Sequence, residues 1–137
     1  YVYDAGVGQF IRATKDPLRY FDALALADRM FGELRSTMEA SGVWDRTAVL
    51  VTSDHHWRSG PKNHDGVTDY RVPFILRLPG SPGKYVSSSC FNTIVATPMV
   101  MAVLEGSINS PHDVETFIRH SDIAKEGSAR KYCDEYQ

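Results

Sequence analysis

Thr47-Ala48-Val49-Leu50-Val51-Thr52-Ser53-Asp54-His55-His56 is the stretch whose reading decides the fold. From Thr47 to Thr52 the residues are β-branched or apolar, with no alternation between polar and apolar. That pattern predicts a strand covered on both faces, as in a parallel sheet. The strand runs directly into Asp54, His55 and His56. In open α/β sheets, ligands bind beyond the carboxyl ends of the strands. A carboxylate and an imidazole at such an end stand where chemistry is done.

Upstream, Trp44-Asp45-Arg46 reads as a turn, preceded by a long helix. Asp16-Pro17 is a start signal, with aspartate at the N-cap and proline at the first helical position. From Leu18 to Ser41, Phe21, Leu24, Ala25, Ala27, Met30, Phe31, Leu34 and Met38 recur at three- and four-residue steps. This spacing predicts an amphipathic helix. Asp22, Arg29, Glu33, Arg35 and Glu39 fall mostly on its other side. Asp28 interrupts the apolar side. It reads as a boundary residue, with a buried carboxylate holding a loop as the alternative. Gly42 ends the helix at C′. Residues 1–15 read as an irregular lead-in.

Downstream, Ser53 to Asp69 is a polar loop and Arg71 to Leu78 a second strand, with Pro73 near its start. A short extended piece is expected around Lys84 to Val86. Asn92 to Glu105 is expected to be helical, with Pro98 in its first turn. Ser110-Pro111 opens another short helix, whose apolar face is Val114, Phe117 and Ile118. Ile123 to Gln137 reads as a loose tail. Helix, strand, long loop, strand and helices make an α/β unit. The expected organisation is an α/β domain over residues 1–122 and a loosely ordered tail over 123–137.

At 137 residues the chain is long enough for one modest domain with a core. A net charge of −2 leaves no basic footprint for nucleic acid or an anionic membrane. No apolar run reaches membrane-spanning length. The chain begins Tyr1-Val2-Tyr3 without methionine or a signal-peptide pattern, so a segment of something longer, or a processed product, is expected. Cys90 and Cys133 match no zinc-ligand spacing and form no disulfide framework. They could pair, but the favoured reading is one buried thiol and one tail thiol.

The loop after the strand concentrates chemistry. His55, His56 and His64 fall within ten residues, beside Asp54, Asp65 and Asp69. Carboxylate and neutral imidazole are metal donors, and the mixed set points to zinc or manganese rather than an all-oxygen calcium cage. The bland alternative is a polar surface loop with chance histidines. Arg58 and Lys62 are either solvated charges or contacts for a substrate anion. His112 and His120 fall on a surface helix and read as structural.

In order along the chain stand Tyr20, a helix with Ala23, Asp28, Gly32, Glu33 and Leu34, then Trp44-Asp45-Arg46-Thr47, the strand, Ser53-Asp54-His55, and Arg71-Val72-Pro73-Phe74-Ile75. This ordered set resembles the alkaline phosphatase superfamily, most closely its sulfatase-like hydrolase/transferase branch, over residues 17–80. The resemblance implies a partial sulfatase/alkaline-phosphatase-like sheet flanked by helices. It implies that Asp54 and His55 are the late metal-ligand pair, with His56 standing where the family has glycine and adding either bulk or a further metal ligand. His64 and Lys62 become candidates for contact with the substrate anion. The implied cofactor is a divalent metal, zinc or manganese first and calcium third. The implied substrate is a sulfate or phosphate ester, attacked through a covalent intermediate that passes to water or an acceptor alcohol.

The upstream acidic ligands and the serine, threonine or formylglycine-cysteine nucleophile are not visible. Neither cysteine stands in a Cys-x-Pro-x-Arg setting. The chain is therefore expected to be a C-terminal portion of the domain, inactive by itself, with the upstream part of the same domain as its partner. An extracytoplasmic or membrane-attached full-length protein is compatible with this reading. Two other readings stay open. Asp54-His55-His56 also resembles the DHH manganese phosphoesterases. The chain could equally be a non-catalytic α/β module that binds a metal or a partner through the 53–69 loop.

Overall fold

The computed structural model describes residues 2–12, 18–58, 66, 68–81, 83–125 and 133. They fall into two compact units. One joins Tyr1–Asp45 with His55–Pro73, and the other joins Arg46–Asp54 with Phe74–Gln137. The boundary crosses the chain between Asp54 and His55. Among the described residues, no helix is long and apolar enough to cross a membrane.

In the first unit, β1 (Val2–Asp4) pairs antiparallel with β2 (Gln9–Ile11), Tyr3 lying opposite Phe10. The expected irregular lead-in is therefore a hairpin. Asp4 supplies the reason. Its buried carboxylate accepts from the Gly6 N–H at 2.9 Å, and its carbonyl accepts from Gly8 N–H at 2.8 Å. The side chain thus organises a turn that strands of three residues could not specify alone. Tyr3 and Phe10 meet edge to face across the pair, 5.5 Å between centroids.

Helix α1 (Leu18–Ala40) packs on β1. Its expected cap, Asp16-Pro17, lies outside the described residues. Its end follows the expected chemistry. Gly42 takes φ +69°, and Val43 N–H reaches back to the Met38 carbonyl while Gly42 N–H reaches Glu39. That is a Schellman closure. The apolar stripe is only partly covered: Tyr20, Ala23, Phe31 and Met38 are half-buried, while Phe21, Leu24, Met30 and Leu34 are exposed. Asp28 is exposed, in keeping with a boundary residue. Trp44 folds back on the helix, edge to face with Phe31 and beneath the Arg35 guanidinium.

In the second unit, β3 (Val49–Thr52) pairs with β4 (Phe74–Arg77). The pairing is antiparallel, with Leu50 opposite Leu76 and Val51 opposite Ile75. This corrects two expectations about β3. Among the described residues it has no parallel neighbour, and it is half-buried rather than fully covered, with Thr52 exposed. An unbroken apolar run reports apolar neighbours on both faces, but it does not set the direction of the paired strand. Arg77 extends the pairing by donating from Nη1 to the Thr47 carbonyl at 3.0 Å. The second strand starts after Pro73, which cannot donate to a ladder. No strand forms around Lys84 to Val86.

The core of this unit is Leu78, Val95, Met99, Ala102, Ile108, Ile118 and Ala124, with Phe74, Leu76, Phe91, Val114 and Phe117 packed around it. Val95, Met99 and Ala102 form the inward stripe of a 3-10 turn, Thr93–Val95, and helix α2 (Ala96–Leu104). Asn92 caps the turn by accepting from Ile94 N–H. Helix α3 (Pro111–His120) starts in a full capping box: Ser110 Oγ accepts from Asp113 N–H, and Asp113 accepts from Ser110 N–H. The sequence expectation for Ser110-Pro111 matches this geometry.

Beyond α3 the chain makes a 3-10 turn, Asp122–Lys125, that buries Ala124, and Asn92 N–H donates to the Ala124 carbonyl. Cys90 and Cys133 form a disulfide. This corrects the expectation of two separate thiols. Folding brings together cysteines 43 positions apart, and pairing across that distance is not readable from spacing.

Candidate metal and ester site

Ser53 and Asp54 follow β3 directly, and the exposed Asp54 carboxylate is carried by the strand's end. His55 is exposed, and His56 and Trp57 are half-buried. Asp54 belongs to the strand unit, and His55, His56 and Trp57 to the helix unit. Lys62, His64 and Asp65 lie outside the described residues.

His55 Nδ1 lies 2.7 Å from the carbonyl oxygen of His56. A carbonyl has no proton to give, so Nδ1 carries the hydrogen and donates. In the neutral ring the lone pair is then on Nε2. Ligating histidines commonly take this arrangement, one nitrogen anchored on a carbonyl and the other left to the metal. A carboxylate and a neutral imidazole are each donors of the kind that zinc and manganese take.

His56 is held differently. Its ring meets the Tyr70 ring at 63°, centroids 4.7 Å apart. The two histidine rings stand 6.5 Å apart at 75°. Asp69 is engaged by Arg71, whose Nε and Nη2 reach its two oxygens at 2.9 and 2.7 Å. That bidentate grip occupies a carboxylate the sequence had placed in the donor window. Among the described residues, no three histidine, cysteine, aspartate or glutamate side chains are grouped to hold a metal.

Trp57 at this loop was missed from sequence, and Tyr20 was read only as part of the family resemblance. Trp57 lies flat on Tyr20 of α1, ring centroids 4.0 Å apart and planes 3° from parallel. Phe21 meets Trp57 edge on. The available signal was an aromatic residue two positions past the first histidine and another opening the helix.

His112 and His120 are exposed on α3, and His120 Nδ1 lies 2.8 Å from the Thr116 carbonyl. A shallow depression of about 480 Å³ beside α3 is lined by Tyr85, Ser89, His112, Glu115 and Arg119, among others. Glu115 accepts from Ser89 Oγ at 2.7 Å and from Tyr85 at 3.3 Å. The Ser87 hydroxyl foremost, then Ser89, holds its carboxyl below the usual range. Its acceptors are spent tying residues 85–89 to the helix.

The sulfatase family profile matches residues 6–126. The chain belongs to the sulfatase family. The match takes in α1, β3, Ser53-Asp54-His55 and β4 in one span, and it decides against the DHH phosphoesterase reading. An endo-4-O-sulfatase of Bacteroides thetaiotaomicron is 24% identical over 102 residues, covering 70% of this chain. The chain spans 20% of that relative's length. No solved structure gives a significant match.

Proposed function

We propose that this chain is the C-terminal part of a sulfatase-family catalytic domain and carries its Asp54–His55 metal-ligand pair. The observation that carries the reading is the hydrogen bond from His55 Nδ1 to the His56 carbonyl, directly after β3 and inside the family match. In the neutral ring this puts the lone pair on Nε2, and Nε2 and the Asp54 carboxylate are the two donors this reading assigns to the cation. A divalent cation, when bound, would supply Lewis acidity toward the ester oxygens. This chain's own part is to present one carboxylate oxygen and one imidazole nitrogen. His56, in the glycine position of the family pattern, adds bulk beside them, and Lys62 and His64 are the proposed contacts for the substrate anion.

The nucleophile that would form the covalent intermediate belongs to an upstream part of the domain in this reading. The isolated chain would then turn over little substrate. O-sulfate esters are the class to test first, because the matched relative is described as an endo-4-O-sulfatase. Phosphate esters and transfer to an acceptor alcohol are the alternatives within the same chemistry.

The test is calorimetric titration with Zn²⁺, Mn²⁺ and Ca²⁺, on the chain and on Asp54→Asn. The reading expects binding that falls at least tenfold, about 1.4 kcal/mol, in the variant. Equal affinity in both, or rapid sulfate-ester hydrolysis by the isolated metal-loaded chain, would contradict it.

A further inference from the structure

We infer that Trp57 and Tyr20 are positioning residues for the His55 imidazole, an inference that rests on the metal-site reading above. His55 orients its ring on the carbonyl of His56, so the ring follows the backbone of residue 56. That backbone is held from two sides. On one side Tyr70 meets the His56 ring at 63°, 4.7 Å between centroids. On the other side Trp57 is laid on Tyr20, 4.0 Å between centroids and 3° from parallel, with Phe21 closing the edge at 6.1 Å.

Tyr20 sits in the first turn of α1, and α1 rests on β1. The stack therefore ties the metal-ligand loop to a helix that packs elsewhere. Offset or edge-on rings are ordinary core contacts, and a stack beside a loop is by itself only packing. Here the stacked residue lies two positions from the proposed ligand. The atom that orients the ligand is the carbonyl between them. Loss of the stack frees that carbonyl, and with it the direction of Nε2. Supporting groups of this kind commonly change metal affinity by about ten- to a hundredfold.

The experiment compares the full chain with Trp57→Ala, Trp57→Phe and Asp54→Asn. It measures Mn²⁺ and Zn²⁺ affinity by calorimetry and metal-free amide exchange over residues 55–57. Trp57→Ala should lower affinity about tenfold and speed exchange at 55–57, while protection of α1 is kept; Trp57→Phe should restore most of both. Should Trp57→Ala fail to fold, Tyr20→Leu keeps an apolar cover while removing the stack, and the same losses are expected. Unchanged affinity in Trp57→Ala alongside a loss in Asp54→Asn would overturn the positioning role and leave the metal site standing. Unchanged affinity in Asp54→Asn would overturn the metal-site reading and this inference with it.

Discussion

The His55 ring is oriented by the carbonyl of His56, 2.7 Å from Nδ1. The geometry commits the neutral ring to one tautomer, with hydrogen on Nδ1 and none on Nε2. Long-range ¹⁵N–¹H NMR of the metal-free chain should show His55 as this tautomer. A His55 ring protonated on Nε2 would contradict the orientation and remove the support for ligation through that atom.

The Cys90–Cys133 disulfide closes a span of 43 positions in the second unit. In the loop-entropy account such a closure stabilises by about 4 kcal/mol. Replacing both cysteines by serine should lower the urea-unfolding free energy by an amount of that order. Thiol titration of the native chain should find no free thiol before reduction. A reactive thiol in freshly isolated protein would contradict it.

Asp113 sets the pH dependence of α3. The Asn109 N–H foremost, then the Ser110 hydroxyl, holds its carboxyl below the usual range. A depressed folded-state pKa means the unfolded chain binds protons first as pH falls. The contribution is therefore complete above the ordinary aspartate value of about 4, and it is lost as pH drops through the lower folded value. Glu115 acts in the same direction. Unfolding curves between neutral and acid pH should show this decline, and Asp113→Asn should flatten it. Ser110→Ala removes the hydroxyl half of the box and should cost about 1 kcal/mol at neutral pH. A variant with an unaltered acid limb would contradict the assignment.

Gly106 ends α2 at φ +77°, with Ser107 N–H on the Ala102 carbonyl and Gly106 N–H on Val103. A Cβ at Gly106 would meet nothing within 4 Å, so any penalty is the backbone's own. Gly106→Ala should cost about 1 kcal/mol of stability, read by chemical denaturation. No loss would mean that the turn relaxes out of the left-handed region at no cost.

Local chemistry made much of this fold legible. Gly42 marked the end of α1, Ser110-Pro111 marked the start of α3, and the run from Thr47 to Thr52 marked β3. Each is written in neighbouring residues. The β1–β2 hairpin was not legible, because three-residue strands carry no period and the turn depends on one carboxylate, Asp4. The antiparallel partner of β3 was not legible either, since side-chain pattern reports which faces are covered and not strand direction. Cys90 with Cys133 and Tyr20 with Trp57 are pairs made only by folding. At the candidate site, the Asp54-His55 pair stood out through its place at a strand's end. Asp69 was counted in the same window, and it is taken by Arg71 two residues away.

Site-resolved paramagnetic broadening tests the central claim most directly. Substoichiometric Mn²⁺ would be added to the isotope-labelled chain, and the NMR signals followed residue by residue. The account predicts that the Asp54 and His55 signals broaden first, while His112 and His120 on α3 stay sharp. Broadening centred on His112 or His120, or spread evenly over the acidic surface, would contradict it.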